Sequence, residues 1–337
     1  MSTALQPFTI LQIGEEAAKG TIVAATQQLP GEGSLAEEQD FYRSPYPAGV
    51  RANVGGAGVV IRNGVEVDWN SELTAEDLLW ALHSGVLGDV TPVGATADKI
   101  WTFTPELTTG IPTLDSVSLE FARSDGVTNH YYGEAGYGLA RSFKLDWAFN
   151  QAAKSNVKWF ARARQTGAPT AALTPIADRE PLISNLLFVY LDTTWAGLGG
   201  TQLTGLVRSA SLDVATGLAP DYTLDGRADK DLTVHKVGLL TARLSIVFEF
   251  DAGGAARFAN YRANDIVYIR LKNTGTVIPT TAVDRYVQID GAYRFVSTPS
   301  FAVDGEQILM TADLESVYDA TGAKTLEFEL SNGVAAL

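Results

Sequence analysis

The sequence predicts a mainly β protein with two tandem β-sandwich or barrel domains, each carrying one short helix. The first supporting observation is a meander over residues 114–164, where apolar and polar residues alternate with the period of two typical of half-buried strands. The second is the return of similar segments, in the same order, later in the chain. The third is the stretch 166–181, which contains three prolines without periodicity and is typical of a linker.

The repeated segments favour an internal duplication. SVSLE (116–120) is echoed by SASLD (209–213), and GLARSFKLDWAF (138–149) by GLLTARLSIVFEF (238–250). VKWFARARQTG (157–167) is echoed by IVYIRLKNTG (266–275). The predicted organisation is an N-terminal arm and long loop (1–58), a first β domain (59–167), a linker (168–183) and a second β domain with a C-terminal arm (184–337).

Each predicted domain contains one short helix. In the first, Thr74 and Asp77 have the spacing of a capping box, and the leucines that follow have helical spacing, so we predict a helix over 75–87. A second short helix is predicted over 255–262. The N-terminal arm is irregular but too apolar for a solvated tail, and we expect it to pack on a partner surface through Phe8, Ile10, Ile13, Phe41, Tyr42 and Tyr46.

Composition excludes several classes of protein. The chain has no cysteine, which excludes disulfides and thiolate metal sites, and its three histidines lie far apart without ligand spacing. Its formal net charge of −14 disfavours binding to nucleic acid. We find neither a signal peptide nor an apolar run of about 18 residues that could form a membrane anchor. Synthesis and folding in a cytoplasm are expected.

The sequence gives only weak evidence for a nucleotide, metal or catalytic site. The glycine-rich segments 54–58, 133–138 and 197–200 lack the strand–helix context of a nucleotide site and are interpreted as turn and hairpin glycines. The loop 221–232 partly matches a calcium loop, but its twelfth position is Leu232 instead of glutamate. No nucleophile, base and orienting group can be assembled, so the prediction is a non-enzymatic protein without metal or cofactor. Lys144, Lys158 and Arg162 are interpreted as an outward strand face.

Several short motifs, in order, resemble those of major tail tube proteins from long-tailed, siphovirus-type bacteriophages. The chain has GEEAAKGT at 14–21, LLWALHSGVLG at 78–88, WTFTPEL at 101–107 and TLDSVSLEF at 113–121. In the second half, a DGxxYxF-like segment covers 290–295 and an Asn-Gly pair stands at 332–333. The resemblance extends over most of the chain.

This resemblance implies a structural virion protein of the tail, assembled in the host cytoplasm. Each domain would contribute strands to a central ring barrel, and stacked rings would form a tube for DNA delivery without specific DNA binding. Single-domain relatives form hexameric rings, so a duplicated chain would form a trimeric, pseudo-hexameric ring, with a hexamer as the alternative. A tape measure protein and a tail terminator are the other partners expected from the family.

Two sets of residues are candidates for assembly contacts. Ring-to-ring contacts are expected from the N-terminal arm and the C-terminus, with Leu337 joining the aromatic and aliphatic residues named above. Lys144, Lys158 and Arg162 are candidates for a subunit-interface or lumen face. The alternative function is a receptor- or carbohydrate-binding virion protein, and a secreted hydrolase is disfavoured because neither an acid pair nor a signal sequence is found.

Overall fold

The computed structural model describes residues 8–42, 58–94, 97–108, 111–125 and 127–337, except for the side chains of residues 129, 252 and 253. In the first half of the chain the elements are β1 (Thr9–Glu15), β2 (Gln27–Leu29), β3 (Glu32–Tyr42), β4 (Val59–Glu72), α1 (Leu78–Gly85), β5 (Lys99–Phe103), β6 (Val117–Ser124), β7 (Asn129–Ala148) and β8 (Lys154–Ala161).

The second half is also mainly β. Its elements are β9 (Leu187–Asp192), β10 (Val207–Ala215), β11 (Leu218–Asp221), β12 (Val234–Val237), β13 (Thr241–Glu249), α2 (Ala252–Ala263), β14 (Val267–Val277), β15 (Asp284–Phe295), β16 (Ser300–Asp304), β17 (Gln307–Ser316) and β18 (Leu326–Asn332), with 3-10 turns at Ser184–Leu186 and Trp195–Gly197. The mainly β prediction is confirmed.

The strands form one large antiparallel sheet that does not close into a barrel. Its main path is β2-β1-β6-β7-β10-β13-β17-β15-β14-β9. From β7 the sheet also continues through β8 and β4 to β3, while β16 pairs with β17, and β18 pairs with β15 and β5. The small hairpin β11-β12 stands apart from this sheet.

The 20-residue strand β7 connects two parts of the sheet. Its first part pairs with β6, and its second part pairs with β8 on one side and β10 on the other. The change of partners falls at Tyr137, whose φ of 60° lies in the left-handed region and disrupts the ladder, as a β-bulge does. The next residue, Gly138, has no room for a side chain, because an added Cβ would stand 2.6 Å from the carbonyl oxygen of Val117. The glycines of 133–138 therefore lie within a long strand, not in a hairpin turn.

The buried carboxylate of Glu16, within the GEEAAKGT motif, fixes this bend. It accepts hydrogen bonds from the backbone N–H groups of Gly20 at 2.6 Å and Tyr137 at 2.8 Å. The hydroxyls of Ser116 and Ser118 donate to it as well, at 2.5 and 3.0 Å. One side chain thus ties the loop after β1 to β6 and β7.

The N-terminal region differs from the predicted irregular arm, because it contains β1, β2 and β3. Strand β1 pairs with β6 along its whole length, and Leu11 and Ile13 are completely buried. Burial on both faces leaves β1 without the alternation that identifies a half-buried strand, so the sequence pattern did not indicate it. Tyr46 lies outside the described residues.

The two halves of the chain share one hydrophobic core. A single cluster of buried residues extends from Leu11 to Leu330 and includes strands of both halves. The indole N–H of Trp147 donates to Asn273 at 2.9 Å inside this core. The predicted linker packs on the core as well, since Leu182 is fully buried and its backbone N–H donates to the carbonyl oxygen of Leu73 at 2.9 Å.

The helices fall close to their predicted positions with different ends. Helix α1 begins at Leu78, three residues after the predicted start, and all of its residues are buried. The hydroxyl of Thr74 accepts from the backbone N–H of Asp77 at 3.0 Å, but this bond closes a turn that precedes the helix. The carboxylate of Asp77 is engaged by Gln27 and Arg179 instead. Helix α2 is longer than the predicted 255–262.

Candidate assembly surfaces

One face of the central sheet is polar across six neighbouring strands. Direct cross-strand neighbours connect Asp68 on β4 to Lys158 on β8, and Lys158 to Ser142 on β7. On the same face of β7, Lys144 lies opposite Asp213 on β10, and the row then continues through Arg243 on β13 to Glu315 on β17. Because alternate residues of a strand point to opposite faces, the intervening apolar residues form the core.

The predicted lysines belong to this polar face, and both are paired with acids. Lys144 Nζ lies 2.9 Å from Asp146 Oδ1, and Lys158 Nζ lies 3.3 Å from Asp68 Oδ2. Acidic side chains outnumber basic ones on the face, with Glu66, Asp68, Glu72, Asp146, Asp213, Asp313 and Glu315 against Arg141, Lys144, Lys154, Lys158 and Arg243. A face of this charge disfavours tight contact with phosphate groups.

Arg162 is separated from the two lysines. Its guanidinium lies over the ring of Tyr137, 4.9 Å from the ring centroid, and donates to the backbone carbonyls of Gly20 and Leu232, both at 3.3 Å. These contacts hold two loops to the bend of β7. Arg162 therefore has a structural position within the protomer, and the structure does not bring it together with Lys144 and Lys158.

The candidate ring-to-ring residues fall into two groups. Phe8 is exposed, and Phe41 and Tyr42 expose about half of their surface (53% and 51%) at the far end of the β3–β4 hairpin, beside the exposed Val59. The remaining candidates face inward, since Ile13 is fully buried, Ile10 is half-buried, and Leu337 is half-buried against the core. Of these candidates, the exposed ones are therefore Phe8, before β1, and the pair Phe41 and Tyr42 at the hairpin end.

Five strands of the large sheet, as far as the chain is described, pair with a single neighbouring strand: β2, β3, β5, β9 and β16. Of these, β3 and β16 end the two branches that leave the main path at β7 and β17. Strand β3 pairs only with β4, and β16 pairs only with β17. All five residues of β16 are exposed, including Phe301 and Val303. Unpaired edges present free N–H and C=O groups to another chain. The sequence alone did not single out β16, because an exposed strand of five residues has little hydrophobic alternation.

The edge strand β3 is held firmly in its own protomer. Glu37 accepts hydrogen bonds from Arg164 at 2.5 Å and from the hydroxyl of Tyr131 at 2.7 Å. Burial, followed by the hydrogen bond to Glu37, raises the pKa of Tyr131 to about 12. Asp40 pairs with Arg62 at 2.7 Å. The carboxylates of Glu37 and Asp40 on β3 are thus engaged by side chains of the same chain.

The chain is therefore a β protein with a polar sheet face and open sheet edges that include β3 and β16, a form suited to assembly through its strands. A family model described as phage tail tube protein matches residues 9–332. Because the match covers nearly the whole sequence, the chain belongs to the phage tail tube protein family and is a structural tail tube protein. A comparison with curated proteins finds no significant match. Neither helix in the described part of the chain is long and apolar enough to cross a membrane.

Proposed function

We propose that this protein polymerises into stacked rings that form the tail tube, and that each ring is closed by pairing β16 of one chain with β3 of the next. The observation that carries this proposal is a strand order that occurs twice. In the first half, neighbouring strands follow the path β1-β6-β7-β8-β4-β3, and in the second half they follow β9-β14-β15-β17-β13-β10.

The two paths correspond in chain order as well as in space. Taken in the order of the sequence, β1, β3, β4, β6, β7 and β8 match β9, β10, β13, β14, β15 and β17, and every pairing in the first path has its counterpart in the second. Helix α1 follows β4 as α2 follows β13. The matching strand order supports a duplication. The similar sequence segments do not align the strands in the same way, because 157–167 overlaps β8 whereas 266–275 overlaps β14.

The junction between the halves provides the template for the junction between chains. Inside the chain, β7 of the first half pairs with β10 of the second half over a seven-residue register that runs from Ala148 opposite Ser209 to Ser142 opposite Ala215. The counterpart of β10 in the first half is β3. The second part of β7 pairs with β8, and the counterpart of β8 is β17. Because β17 pairs with the end of β15 and with β16, these two segments together correspond to the second part of β7. The same junction between two chains therefore joins β16 to β3.

Because the two edges differ, this contact is head-to-tail and forms a ring if the rotation closes. Two repeats per chain give a pseudo-sixfold ring from three chains, and a hexamer is the alternative. The polar sheet face would line the lumen through which DNA passes. Contacts between rings would use Phe8 and the hairpin end at Phe41 and Tyr42. The tape measure protein and the tail terminator are the further partners.

Cysteine cross-linking tests the junction directly, because the natural chain contains no cysteine. We would combine Ala36→Cys on β3 with a scan of Ser300→Cys, Ala302→Cys and Asp304→Cys on β16. Oxidation of assembled protein is expected to give covalent ladders that end at the closed ring, a trimer for duplicated chains and a hexamer otherwise. Leu224→Cys, in the exposed loop before β12, replaces the β16 cysteine as the matched control and should give no ladder.

Electron microscopy of the unmodified protein separates the two functional classes. Long tubes support the tail tube assembly, whereas discrete particles would favour a receptor- or carbohydrate-binding virion protein. Tubes that give no β3–β16 cross-link at any scanned position would contradict the proposed junction while leaving the tube intact.

A further inference from the structure

Three ligand-type side chains from separate parts of the sequence meet at one end of α1. Glu15 is the last residue of β1, His83 lies within α1, and Asp115 stands just before β6. One oxygen of each carboxylate and one ring nitrogen lie within 4.8 Å of one another. The histidine has no spacing to either acid that a sequence pattern would indicate, so only the fold brings these residues together.

His83 is the unusual member of this cluster. Its side chain is only 4% exposed, and neither ring nitrogen has a hydrogen-bond partner among the described residues. Buried polar groups normally have such partners, so an unpartnered imidazole calls for an explanation. Its Nε2 atom points at the two acids and lies 3.4 Å from Glu15 Oε1 and 3.4 Å from Asp115 Oδ2.

These distances are longer than those of ordinary hydrogen bonds, and they match the spacing of two ligands on one metal ion. Ordinary N–H···O bonds measure about 2.7–3.2 Å between heavy atoms. Ligands about 2.1 Å from a tetrahedral zinc ion stand about 3.4 Å apart, because a tetrahedral edge is about 1.6 times the bond length. The two distances at His83 therefore equal two edges of such a site.

The surroundings complete the coordination. A cavity of about 220 Å³ adjoins the cluster, lined in part by Thr91 and Trp101, and has room for a water molecule as the fourth ligand. Asp115 Oδ2 also accepts from the backbone N–H of Asp89 at 2.5 Å, which orients the carboxylate and leaves a second lone pair available. Both acids are partly exposed, so an ion can enter from solvent.

We propose that Glu15, His83 and Asp115 form a binding site for a divalent transition-metal ion, with zinc as the preferred ion. Imidazole together with two carboxylates favours zinc over calcium or magnesium, which are bound mainly by oxygen ligands. The ion ties the end of β1 to α1 and to the segment that enters β6. It is a structural ion, and the site does not depend on the proposed ring junction.

Metal titration tests the site on the full-length protein. Isothermal titration with Zn²⁺ is expected to show one high-affinity equivalent per chain, and Co²⁺ is expected to give the intense visible absorption of tetrahedral coordination. His83→Gln should weaken binding by more than about 100-fold, because loss of a ligand exceeds the 10–100-fold effect of losing a residue that only supports one. Zn²⁺ should raise the melting temperature of the wild type but not of this variant.

The controls distinguish zinc binding at this site from nonspecific zinc binding by the acidic surface. His130→Gln removes a more exposed imidazole that lies 3.2 Å from Asp125, and should leave zinc binding unchanged. If His83→Gln fails to fold, Glu15→Gln and Asp115→Asn remove a ligand at partly exposed positions. Zinc binding that is absent in the wild type, or equal in the wild type and all three ligand variants, would overturn the proposal.

Discussion

Glu76 and Arg285 form a buried ion pair that connects the two halves of the chain. Arg285 Nε donates to Glu76 Oε1 at 3.0 Å, and the two side chains are 5% and 2% exposed. Burial raises the pKa of Glu76, and the neighbouring Arg285 offsets only part of that effect. The second carboxylate oxygen has no hydrogen-bond partner within the described part of the chain. Glu76 is therefore sensitive to loss of the arginine.

Arg285→Met should destabilise the protein by about 3–5 kcal/mol at neutral pH, because it leaves a carboxylate buried without its cation. The variant raises the folded-state pKa of Glu76 further. A raised folded-state pKa contributes stability that is present below the unfolded value of about 4.3 and is lost as pH rises through the folded value. The difference from wild type should therefore shrink as pH is lowered toward 5, as measured by urea denaturation.

Arg243→Met serves as the matched control, because Arg243 lies exposed on the polar sheet face. A surface substitution of this kind changes stability by less than about 0.5 kcal/mol. A penalty for Arg285→Met that stays constant from pH 5 to pH 8 would show that Glu76 does not take up a proton when the arginine is lost.

At the scale of elements, helix α1 lies entirely inside the core. Leu79 is fully buried in this helix, and Trp80 is buried beside it with its indole N–H donating to Gln27 at 2.7 Å. The helix also packs against β7. Its stability therefore comes from packing, since a helix of eight residues is too short to be stable alone.

Leu79→Ala should lower the free energy of unfolding by about 2–5 kcal/mol, because it leaves a cavity in a core that cannot fully collapse. Leu224→Ala removes the same atoms from a fully exposed side chain and should have almost no effect. Chemical denaturation of both variants provides the measurement. Equal stability of the two variants would mean that α1 does not contribute to the cooperative core.

Strands with one wet face could be predicted from their alternation, whereas a strand buried on both faces and a strand exposed along its whole length were missed. The strands around Phe143 and Trp159 alternate clearly, and the structure confirms them. The buried strand β1 gives no alternation, and β16 is exposed along its length. The cluster at His83 was not predictable, because its three members are brought together only by the packing of β1, α1 and the segment before β6.

At the scale of the whole molecule, the two halves are joined by more than the segment between them. Strand β7 pairs with β10, β5 pairs with β18, and one core includes both halves. The sequence indicated many of the strands in each half, but not this shared core, because contacts between distant strands leave no local pattern.

Cutting the chain between the halves should therefore leave them associated. A protease site inserted between the exposed residues Ala171 and Ala172 allows a single specific cut. The two fragments are expected to elute together from a size-exclusion column in native buffer and to separate only in denaturant. Separation in native buffer would show that the halves are independent domains.

The acidic character of β3 also affects how the protein behaves before it assembles. Glu37, Glu38 and Asp40 lie on an open strand edge that could otherwise pair with the same edge of another copy. Such a pairing would place like charges on adjacent strands, which is unfavourable. The neutral β16, apart from its final aspartate, creates less repulsion of this kind. The charge on one edge thus discourages symmetric dimers and helps newly made chains to stay soluble.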